Sequence, residues 1–320
     1  MKKILIFVVS TTVFTAFGQQ LGINSQYMFN KATINPAYAG SEDYIPIHFN
    51  FRKQWAGFTG APTAQTLTTH ADMGKNLGFG GTIYNDLSGP TRLTGVNLML
   101  NYRLRLSKDN LHSLRVGMGV TLAQHFIDVT KLTTDVQNDP AMANGFNNQF
   151  VPDVDLGVYY AYGKKGFAGI SVKNGIQVKR DLFNDFSNTF ENWMCRQYNL
   201  LGGYNFQVAN DWQIRTSTVL RMIEARPFTF DLTVLGQYKD YVWFGAGYRL
   251  KDAVSIMAGG QYKMVKIGYS YDVTTSKLRN SSSGSHEIFL ELQINRKGKQ
   301  ASSANSPYLK RNRIYTPASK

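Results

Sequence analysis

Residues 95–106 have the sequence GVNLMLNYRLRL, in which apolar side chains alternate with polar or small ones. Successive side chains of a β-strand point to opposite faces, so a period of two gives this segment one apolar and one mostly polar face. The same alternation recurs at residues 114–126 and 287–295, and it extends from about residue 44 to residue 295. An apolar face opposite a polar, glycine-rich face is typical of a barrel with lipid outside and water inside.

About 14 such segments follow one another along the chain, an even number, as in bacterial outer-membrane barrels. We therefore predict an all-β fold, a transmembrane antiparallel β-barrel of about 14 strands formed by residues 42–296. The candidate strands lie near residues 43–55, 63–71, 77–86, 92–106, 113–127, 154–163, 166–174, 196–208, 211–223, 227–238, 240–250, 253–262, 264–273 and 286–296.

The connections between these segments alternate between short and long over residues 56–240, as short turns and long loops do on opposite rims of such barrels. The connections at 224–226 and 251–252 fit less well, because they are short yet fall on the long-loop side. With an even number of strands, both chain ends are predicted on the short-turn rim, which would face the periplasm. The long connections are 56–62, 87–91, 128–153, 175–195 and 274–285.

A soluble β-sandwich also alternates and is the competing fold. Its apolar faces would have to share one core. Here the apolar faces instead carry aromatic side chains near the strand ends, which an aromatic girdle at the two membrane interfaces explains more simply. These residues are Trp55, Tyr102, Tyr160, Tyr162, Trp212, Tyr238, Tyr248, Tyr262 and Tyr271.

Both ends of the chain differ from the barrel region. Residues 1–18 are predicted to be a cleaved secretory signal peptide, with Lys2 and Lys3 before a short apolar stretch and Ala16 and Gly18 at the cleavage site. Residues 19–41 are irregular and are expected in the periplasm, either plugging the lumen or lying at its mouth.

Residues 297–320 contain six basic residues, no acidic residue and two prolines, so they are predicted to form a disordered periplasmic tail. The tail either remains solvated or orders on an acidic periplasmic partner.

The net charge and the single cysteine exclude several classes of function. The whole chain has a formal net charge of +14, which becomes +12 without Lys2 and Lys3. A basic exported protein can meet anionic lipid or an acidic partner, whereas the export signal argues against nucleic acid. Cys195 is the only cysteine, so no intrachain disulfide or cysteine-based metal cluster can form.

No catalytic, metal or cofactor motif is recognisable, and we predict a non-enzymatic protein without cofactors. The five histidines show no Ser/His or zinc-binding spacing, and no phosphate-binding glycine loop occurs between a strand and a helix. The inward face carries arginines and carboxylates, among them Arg52 and Glu287, and its many glycines predict strand curvature and a thin lumen wall. Opposite charges in a confined lumen are expected to pair into a stiffening network, and the alternative is a cation-lined path for anions.

Several strings, taken in order, resemble the PorP/SprF family of outer-membrane proteins over about residues 20–296. The N-terminal ones are QYMFN at 26–30, NPAYAG at 35–40 and Arg52-x-Gln54-Trp55-x-Gly57-Phe58-x-Gly60-Ala61-Pro62-Thr63. Gly78-x-Gly80-Gly81 with Asn85-Asp86-x-x-Gly89-Pro90 follows, and YSYD at 269–272, Ser276 and GSHEI at 284–288 complete the set.

The resemblance implies an integral outer-membrane component of the type IX secretion system, in some members tied to gliding motility, with no catalytic residues. It implies as partners the periplasmic secretion lipoproteins and ring, outer-membrane lipid, and one large secreted adhesin that the protein helps to export or anchor. Near the outer rim, Arg52, Gln54 and Trp55 are candidates for docking a partner, with packing as the alternative. In the tail, the candidates are Tyr308, Lys310, Arg311, Arg313 and Tyr315.

Two other functions stay open. A porin-like or hydrophobic-solute transporter would conduct ions or take up solute through the lumen. An outer-membrane hydrolase would lose its activity when one histidine is replaced, and the sequence offers no motif for it.

Overall fold

A computed structural model describes residues 22–131, 146–180, 192–224, 226–280 and 282–295, and in it fourteen antiparallel strands close into a barrel. This confirms the predicted fold class and strand number. The barrel strands are β1 (Ile45–Lys53), β2 (Thr63–Gly74), β3 (Leu77–Ser88), β4 (Thr91–Arg105), β5 (His112–Asp128), β6 (Phe146–Tyr162), β7 (Gly166–Lys173), β10 (Gln197–Gln207), β11 (Trp212–Ile223), β12 (Thr229–Tyr238), β13 (Val242–Arg249), β14 (Ala253–Tyr262), β15 (Val265–Thr274) and β16 (Ser285–Ile294).

The barrel closes between its first and last strands, where Ile45 pairs with Ile294 and Lys53 pairs with His286. Every other barrel strand pairs with its sequence neighbours, so the sheet has no free edge. The turns after β2, β4, β6, β10, β12 and β14 form the short-turn rim, and Ile294 ends at this rim. The connections after β1, β3, β5, β7, β11, β13 and β15 form the long-loop rim.

The predicted facing of the strands is also confirmed. On β4, Leu98 is 51% exposed on the outer face, whereas its neighbour Met99 is 1% exposed on the inner face. Exposed apolar side chains on the outside are stable because lipid, rather than water, covers them. Among the described residues, no helix is long and apolar enough to cross a bilayer.

Two of the long connections differ from the sequence prediction. The predicted loop at 128–153 is shorter, because β6 begins at residue 146 and pairs with β5 up to Asp128. Residues 147–153 include Pro152 and a run of amides, a pattern that does not predict a strand, and cross-strand pairing with β5 overrides it. Within the long connection at 175–195, β8 (Lys179–Arg180) and β9 (Asn192–Trp193) pair as a separate two-stranded sheet.

Residues 22–44, called the plug segment below, lie inside the barrel. They include three short 3-10 turns at Tyr27–Phe29, Lys31–Thr33 and Pro36–Tyr38. The segment contacts opposite walls, since Phe29 packs on Phe289 of β16 while Tyr38 packs on Tyr159 of β6. A segment that touches opposite walls of a closed barrel must occupy the lumen.

The plug segment runs from one rim to the other. It leaves β1 at the short-turn rim and passes Ala71, near the short-turn end of β2, at Gly40. Gly22 reaches Ala64 and Asp86, at the long-loop ends of β2 and β3. The chain ends and the predicted signal peptide at 1–18 lie outside the described residues, so the placement of both ends on the short-turn side stays a prediction. Among the described residues, Gly22 and Ile294 are at opposite rims. An irregular segment has no periodicity that would reveal such a path.

Glycines on the inner wall make room for the plug segment. A Cβ atom on Gly117 of β5 would lie 2.6 Å from Ala37 Cα, and one on Gly157 of β6 would lie 2.1 Å from Asn35 Oδ1. The expected thin lumen wall therefore serves close packing of a second chain segment.

We expect Gly117→Ala to destabilise the barrel by about 1–3 kcal/mol, because the added methyl group overpacks against the backbone of Ala37. Gly202→Ala is the matched control, since its Cβ would meet nothing closer than 3.7 Å. The measurement is the urea midpoint of the protein folded in lipid vesicles. Equal midpoints for the two variants would contradict the close packing of the plug segment on β5.

Candidate functional site: the plugged lumen and its long-loop mouth

A buried ion network lies in the long-loop half of the lumen. Arg52 Nη2 is 2.6 Å from Asp272 Oδ2, and Arg52 Nη1 is 3.0 Å from Glu287 Oε2. The Arg52 residue is 2% exposed. A buried guanidinium is stabilised by opposite charge and by acceptors for its N–H groups; the two carboxylates supply the charge and accept from both Nη atoms.

The network continues around the wall through Asp231 of β12. Arg249 Nε lies 2.7 Å from Asp231 Oδ1, and Arg221 pairs with the other carboxylate oxygen. Arg249 also reaches Asp272, at 3.6 Å, and so joins this group to the Arg52 pairs. In this network the opposite charges pair, as expected for a stiffening arrangement of luminal charges.

The same network holds one end of the plug segment. The backbone N–H of Ser25 donates to Glu287 Oε2 at 2.7 Å, and the Ser25 hydroxyl donates to Asp272 Oδ2 at 2.7 Å. Arg52 in turn donates to that hydroxyl at 3.0 Å, and the backbone N–H of Gln26 donates to Glu287 at 3.1 Å. The wall thereby supplies partners for backbone groups that no regular structure satisfies.

The other end of the plug segment is held by the opposite wall. Asn35 Nδ2 donates to the carbonyl of Val158 at 2.9 Å, while Asn35 Oδ1 accepts from Ala37 N at 2.9 Å. Asn101 donates to the carbonyl of Ala39 at 2.6 Å, and Arg115 donates to that of Gly40 at 2.9 Å. These hydrogen bonds fix the segment across the lumen.

A cavity of about 110 Å³ remains at the long-loop end. The plug segment forms one side of it at Asn24, and β3 and β7 form others at Asp86 and Lys173. At the same rim, four exposed apolar side chains lie in four different connections between strands. They are Phe58, Ile176, Phe228 and Leu278.

The predicted docking residues adjoin one another at the end of β1, but their environments differ. Arg52 faces the lumen, so its contacts support the packing alternative for this residue. Gln54 N donates to the carbonyl of Pro62 at 2.8 Å and closes the loop. Trp55, with φ of 51°, donates from its backbone N–H to Ser285 Oγ at 3.0 Å. The tail candidates Tyr308, Lys310, Arg311, Arg313 and Tyr315 lie outside the described residues.

Sequence reasoning missed Ser25 and the path of the plug segment, although one signal pointed to them. The strings at 26–30, 52–63, 269–272 and 284–288 are far apart in sequence, yet they converge on the network around Ser25. These four strings of the family resemblance therefore include residues that join the plug segment to the barrel wall.

A family model described as "Type IX secretion system membrane protein PorP/SprF" matches residues 16–292. The chain belongs to the PorP/SprF family. This protein is thus a membrane component of type IX secretion with an outer-membrane barrel fold. Its family and fold are those of a secretion-system membrane protein, not of a known enzyme.

Solved structures with a similar fold are bacterial barrels. A FadL homologue from Pseudomonas aeruginosa is 10% identical with a TM-score of 0.49, covering 85% of this chain and 94% of its own. The CymD monoaromatic hydrocarbon channel is 12% identical with a TM-score of 0.45, and the match covers 88% of this chain and 96% of the CymD chain. The translocator domain of the autotransporter NalP from Neisseria meningitidis is 10% identical with a TM-score of 0.44, covering 85% and 95%. Comparison with curated proteins gives no match.

Removal of the central cation of the network should be costly. We expect Arg52→Met to lower the free energy of unfolding by about 3–5 kcal/mol, because it leaves Glu287 and Asp272 buried with too little positive charge. Lys53→Met removes one positive charge from the next, exposed position of the same strand. Urea midpoints of the two variants give the comparison. If Lys53→Met lowered the free energy of unfolding as much as Arg52→Met, the buried ion network would not be what stabilises this part of the lumen.

Proposed function

We propose that this PorP/SprF protein holds a large secreted surface adhesin at the outer membrane by binding it at the long-loop rim. Its short-turn rim and basic tail then contact the periplasmic lipoproteins and ring of the secretion machinery. The observation that carries this proposal is the plug segment, because a lumen filled from rim to rim favours binding at the two rims over transport through the barrel.

The long-loop rim has the chemistry of a protein contact. Exposed apolar side chains that lie outside the membrane band mark surfaces that another protein covers. Phe58 and Phe228 are 53% and 56% exposed, and both lie in connections beyond the ends of the strands. Large aromatic side chains in such positions supply much of the binding energy of protein interfaces. In outer-membrane barrels, the rim with the longer loops faces the cell exterior.

The short-turn rim carries exposed basic side chains. Exposed lysines occur in most of its turns, at Lys75, Lys108, Lys164, Lys165, Lys239 and Lys263. The basic tail begins just beyond Ile294, which ends at this rim. A basic surface of this kind attracts an acidic partner over a distance of about 8–10 Å at physiological salt.

The test is affinity purification of the tagged intact protein from gently solubilised outer membranes. We expect it to recover a large surface protein together with periplasmic lipoproteins. The double variant Phe58→Ser/Phe228→Ser should recover roughly tenfold less surface protein, since interface aromatics of this kind are binding hot spots. Deletion of residues 297–320 should reduce recovery of the lipoproteins only.

The matched control is Leu111→Ser/Tyr241→Ser, which removes two exposed apolar side chains from the short-turn rim. It should leave recovery of the surface protein unchanged. An intact protein that recovers no partner and conducts ions in a planar bilayer would overturn the proposal in favour of the porin-like alternative.

A further inference from the structure

Three cations gather in the short-turn half of the lumen. Lys266 Nζ of β15 lies 4.5 Å from the centroid of the Phe29 ring, and Arg215 Cζ of β11 lies 5.4 Å from the same centroid. Lys31 lies in the plug segment two residues after Phe29, and its ammonium is subject to the charges of both other cations. Like charges in a confined space repel one another, so this grouping is unfavourable unless another group compensates it.

These cations differ from the three arginines of the long-loop network. Arg52, Arg221 and Arg249 each have a carboxylate oxygen within 3.0 Å. Within the part of the chain that the structure describes, no carboxylate oxygen lies within 4.0 Å of Lys31 or Lys266, nor of Arg215. The Lys31 ammonium instead lies 4.8 Å from the centroids of two aromatic rings.

The nearest carboxylates are bound elsewhere. Glu291 interacts with the His48 ring at 3.2 Å and accepts from Gln293 Nε2 at 2.8 Å. Glu42 accepts from the Tyr38 hydroxyl.

Asp240, in the turn after β12, also interacts with the charge of Lys266, and it accepts from Gln237 Nε2 at 3.1 Å. The three carboxylates balance the three cations in number, but each is engaged by other donors and none pairs with the cations directly. The N–H donors of the cations are therefore left for another acceptor.

The group is accessible from the short-turn rim. Arg215 and Lys266 lie near the short-turn ends of their strands and are half-buried, whereas Lys31 behind them is 8% exposed. Amide side chains line the approach. Gln237 Oε1 accepts from Arg215 Nη1 at 3.0 Å, and Gln261, paired across the strands with Lys266, donates to Gln293 at 2.9 Å.

We propose that Lys31, Arg215 and Lys266 form a binding site for an oxyanion, a phosphate or carboxylate group, that enters the lumen from the short-turn rim. A guanidinium fork and two ammonium groups provide the charge-assisted hydrogen bonds that such a group needs. The anion would relieve the repulsion between the cations. It would also join the plug segment, through Lys31, to the wall, and so stabilise the plugged barrel.

The experiment uses the full chain in a micelle of zwitterionic detergent. Isothermal titration calorimetry with inorganic phosphate or succinate gives affinities, and the urea midpoint is read in the same anions. Chloride at equal ionic strength is the reference for both. We expect saturable binding, and a higher urea midpoint than in chloride, with phosphate, with succinate or with both. The anion that gives this result distinguishes a phosphate site from a carboxylate site.

Lys266→Gln should weaken binding roughly ten- to a hundredfold, the usual effect of losing a hydrogen bond to a charged group. Arg215→Lys keeps the positive charge but removes the planar guanidinium fork, so we expect a smaller loss of anion affinity. This variant replaces Lys266→Gln in the test if Lys266→Gln fails to fold. Lys263→Gln removes the same charge from an exposed turn three residues away and should bind like the parent protein.

Three results would overturn the proposal. The first is a parent protein whose calorimetric binding and urea midpoint are the same in phosphate, succinate and chloride. The second is a folded Lys266→Gln variant with the parent affinity. The third is a Lys263→Gln variant that loses as much anion affinity as Lys266→Gln does. That result would show that anions are attracted diffusely to the rim. These readouts do not depend on recovery of a protein partner, so they are separate from the test of the proposed function.

Discussion

Every feature of the lumen depends on one constraint, which is that polar backbone inside a barrel must find hydrogen-bond partners away from bulk water. The strands satisfy this requirement through the closed sheet. The plug segment is irregular and cannot, so wall side chains supply its partners. Glu287 accepts two backbone N–H groups of the plug, and Asn101 and Arg115 donate to its carbonyls. The plug and the wall therefore form one folded unit.

This arrangement leaves two electrostatically different groups of cations in the lumen. Near the long-loop rim, the arginines are paired and fix the plug by direct ion pairs and hydrogen bonds. Near the short-turn rim, Lys31, Arg215 and Lys266 contact aromatic rings instead of carboxylates. The paired network expected from the sequence is found near the long-loop rim, and the alternative, a cation-lined path for anions, stays a prediction. With the lumen filled, the rims remain as the surfaces on which partners of the secretion system can bind.

The period of two was sufficient to predict the strands, because the facing of a residue such as Leu98 depends only on local alternation and on lipid outside. It also predicted correctly that Arg52 and Glu287 face inward. Their pairing was beyond reach, since they are separated by 235 positions and meet only after the barrel closes between β1 and β16. The start of β6 at residue 146 was missed because pairing with β5, not local propensity, extends that strand. Glycines such as Gly117 indicated a thin wall, but nothing local in the sequence shows that Ala37 is what they face.

The central claim is that the plug segment crosses the whole lumen, and a disulfide tests it most directly. In a Cys195→Ser background, Gly22→Cys and Ala64→Cys place thiols at positions whose Cβ atoms lie 3.0 Å apart, near the spacing of about 3.5–4.5 Å in disulfides. The control pairs Gly22→Cys with Asp72→Cys, on the same face of β2 at its short-turn end. After mild oxidation of intact cells, mass spectrometry should find the 22–64 link and no 22–72 link. Absence of the first link, or formation of the second, would contradict a plug that ends at the long-loop rim.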